Sequence, residues 1–169
     1  VLSDAHANLH ILCETTPIHV VQGRRFLGGT MWFPDIPQVH MHKGVLNDFR
    51  LIKDFERWVY KENARTTSFI KTNAREEDIV VTHHAPSYQS IGDKHRGAPT
   101  NIFYVNYNAE SVIESNKPML WFHGHTHQAQ DYELYDTRVI WIPLGYLGLE
   151  TDTGFILILV GEICLNEFL

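Results

Sequence analysis

Two short apolar runs constrain this chain most: "DIVVTHH", Asp78 to His84, and "PMLWFHGHTH", Pro118 to His127. Each is too short for a helix of ordinary length and lacks the alternation of a half-exposed strand, so each reads as a strand buried on both faces. Strands of that kind belong to sheets covered by helices, which points to an α/β class. Both runs also end in histidines.

The rest of the chain fits elements around those two strands. "IHVVQ", "GRR" and "FLGGTMW" predict a strand pair with a tight turn, and "LHIL" upstream predicts a further short strand. "WFPDIPQVHMHKGVLND", with its prolines and glycine, reads as a loop. From Asp48 to Asn73 the periodicity turns helical, with Leu51, Phe55, Trp58, Val59, Phe69 and Ile70 available for a buried face. Weak propensity at Thr66, Thr67 and Ser68 allows a break into two helices there. "AESVIESN" predicts a short helix, "DYELYDTRVIWIP" a hairpin, and "FILILVGEICLNEF" a second strand pair around Gly161. Trp58, Trp121 and Trp141 read as core. A length of 169 residues suits a single domain, 1–169, burying roughly 70% of its unfolded surface.

Of the 11 histidines, the informative ones come after apolar strands: "VLSDAH" at the start, "IVVTHH" in the middle and "MLWFHGHTH" later. In extended backbone residues i and i+2 share a side, so His125 and His127 are expected to converge, as are Asp4 and His6. Gly124 permits the turn that presents the later pair. Ligands of open α/β sheets bind beyond the carboxyl ends of strands, so Asp4, His6, His83, His125 and His127 are expected to meet in one crevice. A carboxylate with imidazoles suits zinc, manganese or iron. An isolated H-x-H pair fits a solvated loop equally well. His40 and His42 repeat the spacing with no apolar strand to deliver them and are read that way. His10 and His19 are expected to face solvent or pack.

Composition and charge exclude several classes. With 44% hydrophobic and 20% charged residues the chain has a globular make-up. A formal net charge of -6 argues against a broad nucleic-acid surface and leaves room for a local site that takes a phosphorylated substrate. Cys13 and Cys164 make neither zinc-ligand spacing nor a disulfide framework, which fits a reducing compartment, the cytoplasm. The longest strongly apolar run, Phe155 to Val160, is far short of a membrane span, and nothing at the N-terminus has the pattern of a signal peptide.

D-x-H on the first strand, "THHAPS" after a middle strand and "HGHTH" after a late one, in that order, resemble the calcineurin-like metallophosphoesterase family. The resemblance covers nearly the whole chain, and "WFPDIP" followed by "LNDFR" is similar to bacterial and phage members. It implies a sandwich of two mixed β-sheets flanked by helices, holding a pair of divalent metals such as manganese, zinc or iron. Carried over residue by residue, it implies that Asp4, His6 and His127 bind one metal and His83 and His125 the other, with His84 behind them. Arg96, in "KHRGAPTN", is a candidate contact for a substrate phosphate, since guanidinium pairs well with such oxygens; a solvated loop arginine is the competing reading.

The chain departs from the family in one place. Family members carry a G-D motif, whose aspartate bridges the metals, and a G-N-H motif, whose asparagine binds metal and whose histidine is associated with leaving-group protonation; neither occurs between His6 and His83. The segment directly after His6, "ANLHILCETTPI", is similar to the part of the family beyond G-N-H. A handful of residues between a strand ending near Ser3 and one starting near Leu9 is too few for a parallel crossover of about a dozen. The first half is therefore expected to be truncated, leaving one sheet short and an exposed edge that favours self-association. Two divalent ions about 4 Å apart repel by about 17 kcal/mol at an effective dielectric near 20, and Asp4 is the only carboxylate among the matched ligands. One metal, or weak binding, is expected unless Asp35, Asp48 or Asp131 substitutes.

The expected activity is hydrolysis of phosphate mono- or diesters through a metal-activated water, with no general acid identified. The alternatives are an impaired form with one metal or none that serves as a binding module, and a mononuclear hydrolase using Asp4, His6 and His127.

Overall fold

The chain turns back where backbone sterics favour it. In the computed structural model, which describes residues 9–141, Gln22 and Gly23 both take positive φ (48° and 80°). Two left-handed residues in succession make the turn whose twist matches a hairpin, here joining β1 (Ile18–Val21) to β2 (Arg24–Gly29). Tyr135 and Asp136 (φ 50° and 70°) repeat the device between β5 (Gln130–Leu134) and β6 (Thr137–Trp141). Between the hairpins stand β3 (Ile79–Thr82) and β4 (Leu120–Phe122). The strands form one mixed sheet in the order β1-β2-β3-β4-β6-β5, parallel from β2 to β6 and antiparallel at both edges.

Alternation sorts the central strands onto two faces. Val80, Trp121 and Val139 join Leu27 against α3 (Phe55–Asn73) and α4 (Asn108–Asn116), meeting Ile70, Ala109, Val112 and Ile113; Ile79, Leu120 and Ile140 cluster separately with Phe26, Val81 and Phe122. Burial of both sets explains the unbroken apolar runs. A further cluster of Phe33, Val39, Phe55, Val59 and Phe103 seats α1 (Pro37–His42) against α3. Gly28 is fixed by close approach, because a Cβ there would overlap the Val81 carbonyl oxygen of the neighbouring strand.

Several local expectations differ from what is found. Leu9 to Leu12 form no strand: Leu9 and Ile11 are 40% and 42% exposed, and the segment does not pair with the outer edge of β1. The segment expected as a loop holds α1, which opens with Pro37 in its first turn, and a tight turn at Lys43–Val45. The helical stretch breaks at Asp54 (φ 54°), between α2 (Asp48–Leu51) and α3, and runs unbroken through Thr66–Ser68. Side-chain contacts override propensity there: Thr66 donates one turn back to Glu62 (3.0 Å) and packs against Gly29, while Thr67 accepts from Asn106 (2.9 Å). Leu51, expected in a buried face, is 79% exposed on the short α2, and Trp58 is 37% exposed at the rim of its aromatic cluster. His10 and His19 stack on each other with ring centroids 3.5 Å apart.

One sheet is present among the described residues. The strands expected around Gly161, and Asp4, His6 and Cys164, lie outside them. No described helix is long and apolar enough to cross a membrane.

Candidate functional site

The histidines gather because β3 and β4 are parallel neighbours, which sets their carboxyl ends side by side. Trp121 donates its indole N–H to Thr82 Oγ1 (2.9 Å), and Thr82 donates onward to the His84 carbonyl (2.8 Å), so the end of β3 is held from inside the core. The Gly124 N–H bonds the His83 carbonyl (2.9 Å), tying the two strand ends together. Ala85 then pairs with the Tyr104–Asn106 backbone, which brings the Tyr104 ring over His125 (centroids 4.6 Å apart, 29° between planes).

Three imidazoles meet there. Ring centroids of His83 and His125 are 4.6 Å apart, those of His84 and His125 4.7 Å, and those of His83 and His84 5.2 Å. His84 is 1% exposed, with its ring against Trp32 and Phe33. Its Nδ1 faces the Thr30 carbonyl at 3.1 Å, and a carbonyl only accepts, so Nδ1 carries the proton and Nε2 is left as a bare lone pair. That Nε2 is buried and makes no hydrogen bond. Burial, then the neighbouring His125 and His83, push the His84 pKa well below its ordinary value, against a smaller pull from the Thr30 and Phe103 carbonyls. His125 is lowered to about 4 by burial first and by His83 and His127 next. His83 is packed on one side and open to solvent on the other; partial burial lowers its pKa while the Asp48 carboxylate opposes that shift.

The turn carrying His125 is not the extended segment expected. His125 has φ 69°, and the Thr126 N–H bonds back to the Gly124 carbonyl (2.9 Å), closing a tight turn of the strained, positive-φ kind. The i, i+2 argument for His125 and His127 therefore does not hold, and His127 is exposed, near enough to His125 to affect its protonation. Of the carboxylates considered as substitutes, Asp35 pairs with His40 (2.6 Å) and Asp131 with Arg138 (2.8 Å), whereas Asp48 acts on His83. Arg96 is 70% exposed in its side chain and pairs with Asp93 (3.1 Å).

His123 is the site residue that sequence reasoning overlooked. It is 3% exposed; its Nε2 lies 2.8 Å from Ser90 Oγ and its Nδ1 2.9 Å from the Gly124 carbonyl. Strand alternation was the available signal, since position 123 returns to the side of the buried Trp121.

The donor chemistry suits a soft or borderline divalent metal in part. His84 offers an orphaned neutral nitrogen beside His125 and His83, yet among the described residues no group of three His, Cys, Asp or Glu side chains is arranged to hold an ion. A pocket of about 210 Å3 lined by Gly23, Arg24, Arg25, Arg75, Glu77 and Asp78 lies at the opposite, amino-terminal end of β2 and β3. Comparison with protein-family models, with curated proteins and with solved structures gave no match.

Proposed function

We propose that the chain is a metal-dependent phosphoesterase of the calcineurin-like type, hydrolysing phosphate mono- or diesters in the cytoplasm. One observation carries this reading: His83, His84 and His125 stand together at the carboxyl ends of adjacent parallel strands, and His84 keeps a bare, buried Nε2. Asp4, His6 and His127 complete the proposed donor set, and the two-sheet sandwich is the proposed frame. A manganese, zinc or iron ion held there supplies an activated water and a positive centre for phosphoryl oxygens. The chain's own part is to keep its imidazoles neutral by burial and mutual repulsion, because the neutral nitrogen is the form that binds metal. Purified protein titrated with manganese or zinc is expected to hydrolyse an aryl phosphate monoester or diester, and His125→Ala to fall to the background rate. No metal-stimulated turnover on either ester overturns the enzymatic reading.

A second reading is favoured by the lack of a converging three-donor group among the described residues. On that reading the chain is catalytically impaired, holds one metal or none, and serves as a binding module. Uptake of two metals per chain overturns it.

A further inference from the structure

We infer that Tyr132, Ser90 and His123 form a one-way hydrogen-bond relay that positions the Gly124–His125 turn, making Ser90 and His123 positioning residues for the site. Direction follows from what each group can do. The Gly124 carbonyl only accepts, so His123 donates from Nδ1 (2.9 Å) and its Nε2 is a lone pair. Ser90 Oγ, 2.8 Å away, must then donate to Nε2, and its oxygen is free to accept from the Tyr132 hydroxyl, also at 2.8 Å. Ser87 stands beside the same phenol.

The relay ends on the oxygen that matters for His125. The Gly124 carbonyl takes both the His123 Nδ1–H and the Thr126 N–H (2.9 Å), and the second of these bonds closes the strained turn that aims the His125 ring at His83 and His84. Further bonds anchor the same segment: His123 N–H to the Ile140 carbonyl (3.3 Å) and Trp141 Nε1–H to the Thr126 carbonyl. Ser90 is 0% and His123 3% exposed, so the bond between them is shielded from bulk solvent. In a dry network a full set of partners selects one tautomer and one ring orientation, and a missing hydroxyl releases both.

The test is nitrogen-15 NMR of the imidazoles together with calorimetric titration of manganese, on wild type, Ser90→Ala, Tyr132→Phe and Ser90→Thr; the manganese arm rests on the proposed function. Wild-type His123 is expected as the pure Nδ1–H tautomer. Ser90→Ala is expected to mix the tautomers, move the His125 ring resonances and weaken manganese binding at least tenfold, with a smaller loss in Tyr132→Phe and recovery in Ser90→Thr. Should Ser90→Ala fail to fold, Tyr132→Phe alone carries the same comparison. A wild-type Nε2–H tautomer, or His125 resonances unmoved in both variants, overturns the relay. Wild-type protein that takes up no manganese overturns the proposed function instead, and the tautomer and ring resonances then decide the relay by themselves.

Discussion

The chain uses the H-x-H spacing twice, and the two copies have opposite surroundings. His40 and His42 end α1, where His40 sits between the carboxylates of Asp35 (2.6 Å) and Glu56 (3.6 Å) with its side chain 44% exposed. His125 and His127 come after β4, where His125 is packed among imidazoles and Tyr104 and its pKa is lowered to about 4. At the second pair, apolar burial and imidazole neighbours favour the neutral, metal-binding ring. Spacing does not distinguish the pairs. The preceding segment does: a buried strand in one case, a two-proline stretch in the other.

The contrast breaks most severely if β3 is displaced. Gly28→Ala puts a methyl into the Val81 carbonyl, two residues before His83, and is expected to cost about 3 kcal/mol or more, read as a lower urea midpoint. Wild-type stability in that variant would mean that β2 and β3 lie farther apart.

Acid sharpens the contrast next. Burial lowers the folded His123 pKa to about 4, below the ordinary 6.5, so the unfolded chain takes the proton first. The stability tied to this ring is complete above about pH 6.5 and is lost as pH falls toward 4; by pH 5 the loss amounts to about 2 kcal/mol. Urea midpoints of metal-free protein at pH 7 and pH 5 check this, and equal midpoints would contradict it.

Smaller effects belong to the exposed pair. His40→Ala removes an interaction in solvent and is expected to change stability by about 0.5 kcal/mol, a shift that denaturation curves bound directly. The smallest effect is electrostatic. Asp48→Asn removes the charge that supports a proton on His83, so the His83 pKa followed by proton NMR is expected to drop; a rise would place the carboxylate elsewhere.

Much of the frame was legible in the residues. Ile79–Thr82 is a strand with the limits its apolar run suggests, and both hairpins fall in the expected segments, the first turning at Gln22–Gly23 with both arginines of "GRR" already in β2. The failures have physical causes. "LHIL" has strand character but stays exposed and unpaired with the β1 edge, and the weak run Thr66–Ser68 stays helical with Thr66 bonded one turn back to Glu62 and packed on Gly29 and Thr67 bonded to Asn106. At the site, the gathering of His83, His84 and His125 follows from parallel strands ending together, which apolar runs foretell. The left-handed His125 does not, because a strained non-glycine residue is set by the carbonyl that closes its turn and not by its own preference.

The placement of the hairpins also sets an order in time. Among the described residues antiparallel pairs stand at both edges of the sheet, so β3 and β4 are flanked on each side by hydrogen-bonded neighbours, while β1 and β5 each have one described neighbour. Edge pairs fray and re-form often; the middle opens only with the whole sheet. The histidine-bearing loops therefore spring from the longest-lived part of the molecule, and their own rearrangements run against an anchor that stays still for as long as the fold lasts.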